Sequence, residues 1–259
     1  MCLILLSFKM HARYPVVLAA NRDEFYERPS MPVAPWRDNP DILAGRDLKD
    51  GGTWLGMTKR GRIAALTNYR DPASVKENAP SRGELVRDYL YGEECPAAYL
   101  EQIAAKADQY NGFSLIFGDT SHLYCFSNRG CLMELSPGLY GLSNHLLDTP
   151  WPKVERGKAA LAALLAGSEY PDVKEILGIL SNREKPDDNL LPETGVGLEW
   201  ERILSSIFIA SPVYGTRSST VLMVDRRHRV VLVEKVFNTH PDPWMTAKFE
   251  FEIHQTDKF

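Results

Sequence analysis

The order in which strand-like and helix-like stretches follow one another restricts this chain more than any other feature. Apolar or alternating runs at 2–8 and 15–21 flank a polar, Pro-containing turn, and runs at 53–58 and 62–68 flank Lys59-Arg60-Gly61, so each pair reads as a hairpin. Four further runs, at 113–119, 122–128, 131–136 and 139–144, are punctuated by Gly, Asp and Asn and read as a meander. Strand-like runs resume at 206–211, 219–225 and 229–237, and "KFEFEIH" at 248–254 alternates strictly. Helical spacing falls between the strand groups. "SRGELVRDYL" begins with Ser81 and Glu84 at capping-box spacing, and "PAAYLEQIAAKADQY" places Pro96 in a first turn. A second pair lies in "WPKVERGKAALAALLAG" and "PDVKEILGILSN". Strands, two helices, strands, two helices, strands is not the βα alternation of a doubly wound parallel sheet. The expected class is α+β, two mostly antiparallel sheets with helical pairs packed outside them. No linker or internal repeat interrupts the pattern, so one domain over 1–259 is expected. The polar stretch 182–201, rich in Pro, Asp and Gly, reads either as a lid or as a solvated excursion.

Composition removes several function classes. The 259 residues are 44% hydrophobic, enough for a well-buried core, and the 25% charged content is that of an ordered globular protein. A net charge of −4 argues against a nucleic-acid footprint, and the local cluster Arg226-Arg227-His228-Arg229 between two apolar runs reads as a hairpin turn. No apolar run approaches the roughly 18 residues of a membrane span, and the start of the chain lacks the pattern of a signal peptide. A cytoplasmic location is therefore expected. Cys2, Cys95, Cys125 and Cys131 show no CxxC spacing, and the six histidines form no HxH or HxxxH pair, so no metal site is expected. A Cys125–Cys131 disulfide is conceivable across a hairpin, although reduced thiols fit this location better.

Candidate chemistry begins at position two. Cys2 is either a small core residue of an early strand or, once Met1 is removed, a residue carrying a thiol and a free amine on one carbon. In the second case the amine, with an ordinary pKa of about 7.7–8.0, accepts the proton of a thiol of about 8.5 without a histidine. Asn21-Arg22-Asp23-Glu24 follows an apolar strand, as either a polar turn or a functional edge. If the first two strands pair, Asp23 comes near the N-terminus and can orient the ammonium or the thiol. A metal held by Asp23 and Glu24 is disfavoured, because neighbouring carboxylates in a strand point to opposite faces. Asn68 in "LTNYR" and Asn144 in "LSNH" end strands, either as turn residues or as donors to an oxyanion. Arg217 in "YGTRSST" either binds a carboxylate or supports a thiolate, or it is a surface arginine.

"MCLILLSF", "LAANRDEFYERPS", "GGTWLGMTKRGRIAALTNYR" and "SRGELV", continuing through "YGLSNHLLDTPWPKV" and "YGTRSSTVLMVD", resemble the NRDE family, named for that tetrapeptide. The family is in turn similar to the N-terminal-nucleophile hydrolases that cleave penicillin V or conjugated bile salts. The resemblance implies a four-layer αββα sandwich. It also implies catalytic positions at Cys2, Asp23, Asn68, Asn144 and Arg217, with Asn21, Arg22 and His145 as substrate contacts. Those amidases carry an arginine three residues before the aspartate; here that position is Ala20 and the arginine is Arg22. The implied activity is amidohydrolysis or acyl transfer on a linear amide or thioester of a small molecule, with no cofactor. The alternative is a non-catalytic carrier of haem or an acyl-lipid. Cys95-Pro96 resembles a haem-regulatory dipeptide, though it reads more simply as a helix start.

Overall fold

The computed structural model describes residues 2–238 and 242–254; the side chains of Cys2 and Cys131 lie outside that description. Among the described residues thirteen strands form two sheets in which every neighbouring pair runs antiparallel. The first sheet joins β1 (Cys2–Phe8), β2 (Val16–Phe25), β10 (Gly138–Leu142), β11 (Tyr214–Val224), β12 (Arg229–Val236) and β13 (Met245–Glu252), in the order β10-β1-β2-β11-β12-β13. The second runs in chain order from β3 (Ser30–Pro35) through β4 (Ile42–Asp47), β5 (Leu55–Thr58), β6 (Ile63–Asn68), β7 (Phe113–Gly118) and β8 (Leu123–Ser127) to β9 (Cys131–Glu134). Among the described residues there are five α-helices: α1 (Gly83–Tyr91) and α2 (Pro96–Lys106) cover the second sheet, α3 (Pro152–Gly167) and α4 (Val173–Leu180) cover the first, and Leu204 of α5 (Leu198–Leu204) packs with Ile209 and Tyr214.

Period-two alternation sorts the apolar residues into layers. In β2, Val16, Leu18 and Ala20 join Ile4 and Leu6 of β1 in the core between the sheets, while Val17 and Ala19 join Leu3 and Leu5 beneath the helices. There they meet Val154 and Leu161 of α3 and Ile176, Leu177 and Leu180 of α4. On the far side, Leu85, Tyr89, Tyr99 and Ile103 of α1 and α2 cover Ile42, Ala64, Leu115 and Phe117. The result is the expected αββα sandwich. Each fully buried leucine, such as Leu5 or Leu18, contributes about 2 kcal/mol of transfer free energy to it.

Three strand readings change. β3 and β4 have no counterpart in the sequence reading, because Pro32, Pro35 and Gly45 interrupt the alternation that marks a strand. β10 leaves the meander and pairs with β1 in the other sheet. The run 206–211 is not a strand beyond a bridge between Ala210 and Gly215. It is apolar because Ile207 and Phe208 are buried, and Ile207 packs in the helical layer over the first sheet. The Ser81–Glu84 capping box also does not form: α1 begins after Arg82 without a side-chain cap, and Ser81 accepts the Glu84 N–H through its main-chain carbonyl. Within 182–201 lies the start of α5, so that stretch is not wholly irregular. The Cys125–Cys131 disulfide falls on a side chain outside the described residues. Among the described residues no helix is long and apolar enough to cross a membrane.

Candidate active site

The β1–β2 hairpin sets the Cα of Cys2 opposite that of Arg22, and on the other side of β2 the strand β11 sets Thr216 opposite Asp23. Between Thr216 and Ser218 the register shifts, so Arg217 is the extra residue of a β-bulge. Bulges re-aim the side chains around them. Here the Thr216 hydroxyl donates to Asp23 Oδ1 at 2.7 Å, and the Arg217 guanidinium reaches the chain that leaves β2. Its Nη1 donates to the carbonyls of Phe25, Tyr26 and Arg28, at 2.9, 3.1 and 3.1 Å, which pins the turn that follows β2.

Arg22, Asp23 and Asn68 share the wall of one cavity of about 210 Å³ with Trp54, Arg28 and Arg82. Arg22 is 5% exposed; its guanidinium lies 4.2 Å from the centre of the Trp54 ring, and Nη1 donates to Ser30 Oγ at 3.3 Å. Trp54 fits because Gly45 has no side chain: a Cβ there would stand 2.3 Å from the ring. Arg28 donates from Nε to Asp47 Oδ2 at 2.7 Å and from Nη2 to Asp50 Oδ2 at 2.6 Å. Burial works against ionisation of Asp47, but Arg28 and two backbone N–H groups outweigh it and hold the carboxyl below its usual range. Arg22 Nη2 is 3.8 Å from the same carboxylate.

Asp23 is 1% exposed. Burial pushes its carboxyl up to about 6, while the Lys153 ammonium and the Thr216 hydroxyl work in the opposite direction. Asn144 is fully buried at the end of β10; its Nδ2 donates at 2.9 Å to the main-chain carbonyl of Asn68. The main-chain N–H of Arg70 returns a bond to the Asn144 carbonyl at 2.8 Å, so the ends of β6 and β10 are tied together across the two sheets.

The remaining expected site residues sit elsewhere. Asn21 is fully buried under the helices: Nδ2 donates to the carbonyls of Leu180 and Ile207, both at 2.8 Å, and Oδ1 accepts the Ser219 hydroxyl at 2.6 Å. His145 bridges the Tyr69 hydroxyl at 2.7 Å and the Thr149 hydroxyl at 2.8 Å; burial keeps its pKa below the usual value. Neither Asn21, His145, Asn144 nor Arg217 lines the cavity, and of Cys2 only the main chain is described. Conversely, Trp54, the Arg28–Asp47–Asp50 cluster and Lys153 were not singled out in the sequence. Gly51-Gly52-Thr53-Trp54 carried the one available signal, a glycine pair beside a large aromatic.

In its αββα fold the chain is similar to solved hydrolases of the N-terminal-nucleophile type. Two variants of the conjugated bile acid hydrolase from Clostridium perfringens align with TM-scores of 0.51 and 0.50. The first alignment covers 99% of this chain and 98% of that one, the second 97% of each, both at 8% identity, so the likeness is one of fold. Sequence carries the assignment further. The family model "Transport and Golgi organisation 2" matches residues 1–239. Transport and Golgi organization protein 2 homologs of Bos taurus and Homo sapiens are 40% and 37% identical, each over 98% of this chain and 99% of the relative. The Drosophila melanogaster protein is 28% identical over 89% of this chain and 88% of its own length. This chain belongs to the Transport and Golgi organisation 2 family.

Proposed function

We propose that the protein is an N-terminal-cysteine amidohydrolase or acyl-transfer enzyme acting on a linear amide or thioester of a small molecule. Removal of Met1 leaves Cys2 with a free α-amine. That amine takes the thiol proton, and the sulfur forms a bond to the substrate carbonyl carbon while the carbonyl π electrons move onto oxygen. Collapse of the tetrahedral adduct breaks the bond to the leaving amine or thiol, which recovers the proton from the Cys2 ammonium. Water, or another acceptor in acyl transfer, then attacks the thioester; its proton passes through the same amine and restores the thiol.

Asp23 orients the α-ammonium in this scheme. The main-chain N–H of Asn68 and the second amide hydrogen of Asn144 serve the oxyanion. Arg22, stacked on Trp54, receives the polar end of the substrate, and Arg217 acts indirectly by fixing the turn that carries Arg28. The observation that supports the reading is the convergence of four strands on one spot. The register pairs residue 2 with Arg22, and Arg22, Asp23 and Asn68 line one cavity whose Asn68 is bonded by Asn144. Likeness in fold to bile acid hydrolases agrees with this chemistry without naming a substrate.

The test is a turnover screen of N-acyl amino acids, acyl thioesters and small amides, run on wild type and Cys2→Ala. Turnover of at least one class, lost by more than about a thousandfold in the variant, is the expected result. Equal turnover by a folded Cys2→Ala protein sinks the mechanism. Stoichiometric haem or acyl-lipid binding without turnover points to a carrier instead.

A further inference from the structure

The strictly alternating strand β13 plays no part in the proposed reaction, and it is an edge strand. Natural proteins blunt the edges of their sheets to prevent stray pairing. β3 carries Pro32 and Pro35, and its register with β4 is irregular between Met31 and Ala34. β10 is covered by the loop that follows it: the Gly141 N–H donates to Asp148 Oδ1, and the Asp148 N–H to the Gly141 carbonyl, both at 2.8 Å. β9 has only four residues. β13 has none of these devices. Its eight residues include neither Pro nor Gly, and it pairs with β12 along its whole length without a register shift. Among the described residues no strand pairs with its other side.

The side chains of β13 fall into two rows. Thr246, Lys248, Glu250 and Glu252 are exposed, while Ala247, Phe249 and Phe251 turn to the core between the sheets, where both phenylalanines are only partly buried. Lys248 and Glu250 are each 59% exposed and form an ion pair along the strand, Nζ to Oε1 at 2.6 Å. This order makes the strand complementary to itself in one antiparallel register. With Phe249 of one copy opposite Phe249 of another, Lys248 faces Glu250 twice, Thr246 faces Glu252 twice, and Ala247 faces Phe251 twice. Centring the pair one residue away sets Glu250 against Glu250 or Lys248 against Lys248, and like charges directly opposite are destabilising. A lysine on an edge discourages foreign strands; the glutamate two residues on makes an exception for a second copy.

We infer that β13 is a self-association surface: two copies of the chain join antiparallel along this strand, about a two-fold axis at Phe249, and merge their first sheets into one. The interface is isologous, each copy contributing the same residues. Main-chain hydrogen bonds supply the attachment, as they do when an extended peptide adds to a sheet edge. The Lys248 and Glu250 side chains of the two copies alternate in sign around the axis and fix the register. The Phe249 rings meet beside the axis and cover apolar surface that each copy alone leaves open. The inference is independent of the hydrolase reading.

The experiment is sedimentation equilibrium of the full chain, up to several hundred micromolar, on wild type, Lys248→Glu, Glu250→Lys and the doubly exchanged Lys248→Glu/Glu250→Lys. Both positions are exposed, and thermal melts show that each variant is folded. Wild type is expected to dimerise, and each single variant to dissociate at least about tenfold more readily, because two like-charged pairs then face each other. The double exchange should restore the wild-type constant. An equimolar mixture of the two single variants should form a heterodimer, since every acid then meets a lysine. A wild-type protein that stays monomeric overturns the inference, and slow amide exchange along β13 in that monomer would give the edge to another part of the same chain. A dimer indifferent to the single reversals, or not restored by the double exchange, overturns it too by placing the contact elsewhere.

Discussion

Asn144 Nδ2 donates to the main-chain carbonyl of Asn68 across 2.9 Å, joining the end of β10 in one sheet to the end of β6 in the other. Asn144 has no exposed surface, so its amide group cannot be compensated by water if the partner is lost. Asn144→Ala is expected to lower stability by about 1–3 kcal/mol. Turnover of a substrate found in the screen should fall about a hundredfold or more, mainly in kcat. Urea unfolding and steady-state kinetics measure the two effects. A loss of stability with kcat unchanged would confine Asn144 to tying the sheets.

Arg217 gives the opposite prediction from that of a substrate-facing arginine. Its guanidinium serves three carbonyls of the turn after β2, so Arg217→Ala should expose that turn before it alters substrate contacts. Hydrogen exchange should quicken at Arg28, whose N–H is bonded to the Phe25 carbonyl within this turn. Stability should drop by about 2 kcal/mol, because charge-assisted bonds to several acceptors are lost. Arg217→Lys, which supplies a point charge without the planar fork, should recover only part of it.

Asp23 ties stability to pH with a definite sign. Its carboxyl titrates near 6 in the folded protein, above its ordinary value of 3.8, so the folded state holds the proton more tightly than the unfolded one. The associated stabilisation is complete below about pH 4 and is lost as pH rises toward 6. It amounts to roughly 3 kcal/mol at most. Denaturation at pH 4 and pH 7 should therefore show a component that Asp23→Asn removes. Identical pH dependence in the two proteins would contradict the burial argument.

Gly45 is the support of the Arg22–Trp54 stack. Gly45→Ala places a methyl group 2.3 Å from the indole, inside contact distance, so the ring must move. Overpacking of this kind costs about 1–3 kcal/mol. Because Trp54 also lines the cavity, tryptophan fluorescence and substrate KM should change together. A neutral effect on both would show that the ring has another place to go.

The parts of this architecture legible in the sequence are those that local alternation encodes. β1 and β2 are visible because Leu3, Ile4, Leu5 and Leu6, and Val16 through Ala20, are buried on both faces, which leaves no polar residue to blur the run. Arg22, Asp23 and Asn68 stand out because each is polar at the end of such a run. β3 and β4 were hidden by their prolines and glycine. The segment 206–211 looked like a strand because burial under the helical layer, rather than sheet pairing, demands apolar residues there. Lys153, Arg70 and Glu201 were beyond reach for a different reason. They sit far apart in the chain, each resembles an ordinary surface charge in its local context, and only tertiary packing buries them together. The roles of Asn21 and His145 likewise depend on partners, Leu180, Ile207, Tyr69 and Thr149, that no spacing rule connects.

The central claim is that thiol and amine act together on the first residue of the processed chain. Its most direct test varies only the N-terminus. Preparations containing different fractions of chains beginning at Cys2, set by methionine aminopeptidase treatment and measured by intact mass, are assayed on one substrate. The account predicts turnover proportional to the fraction beginning at Cys2, extrapolating to zero where Met1 is fully retained. Turnover independent of that fraction would contradict it.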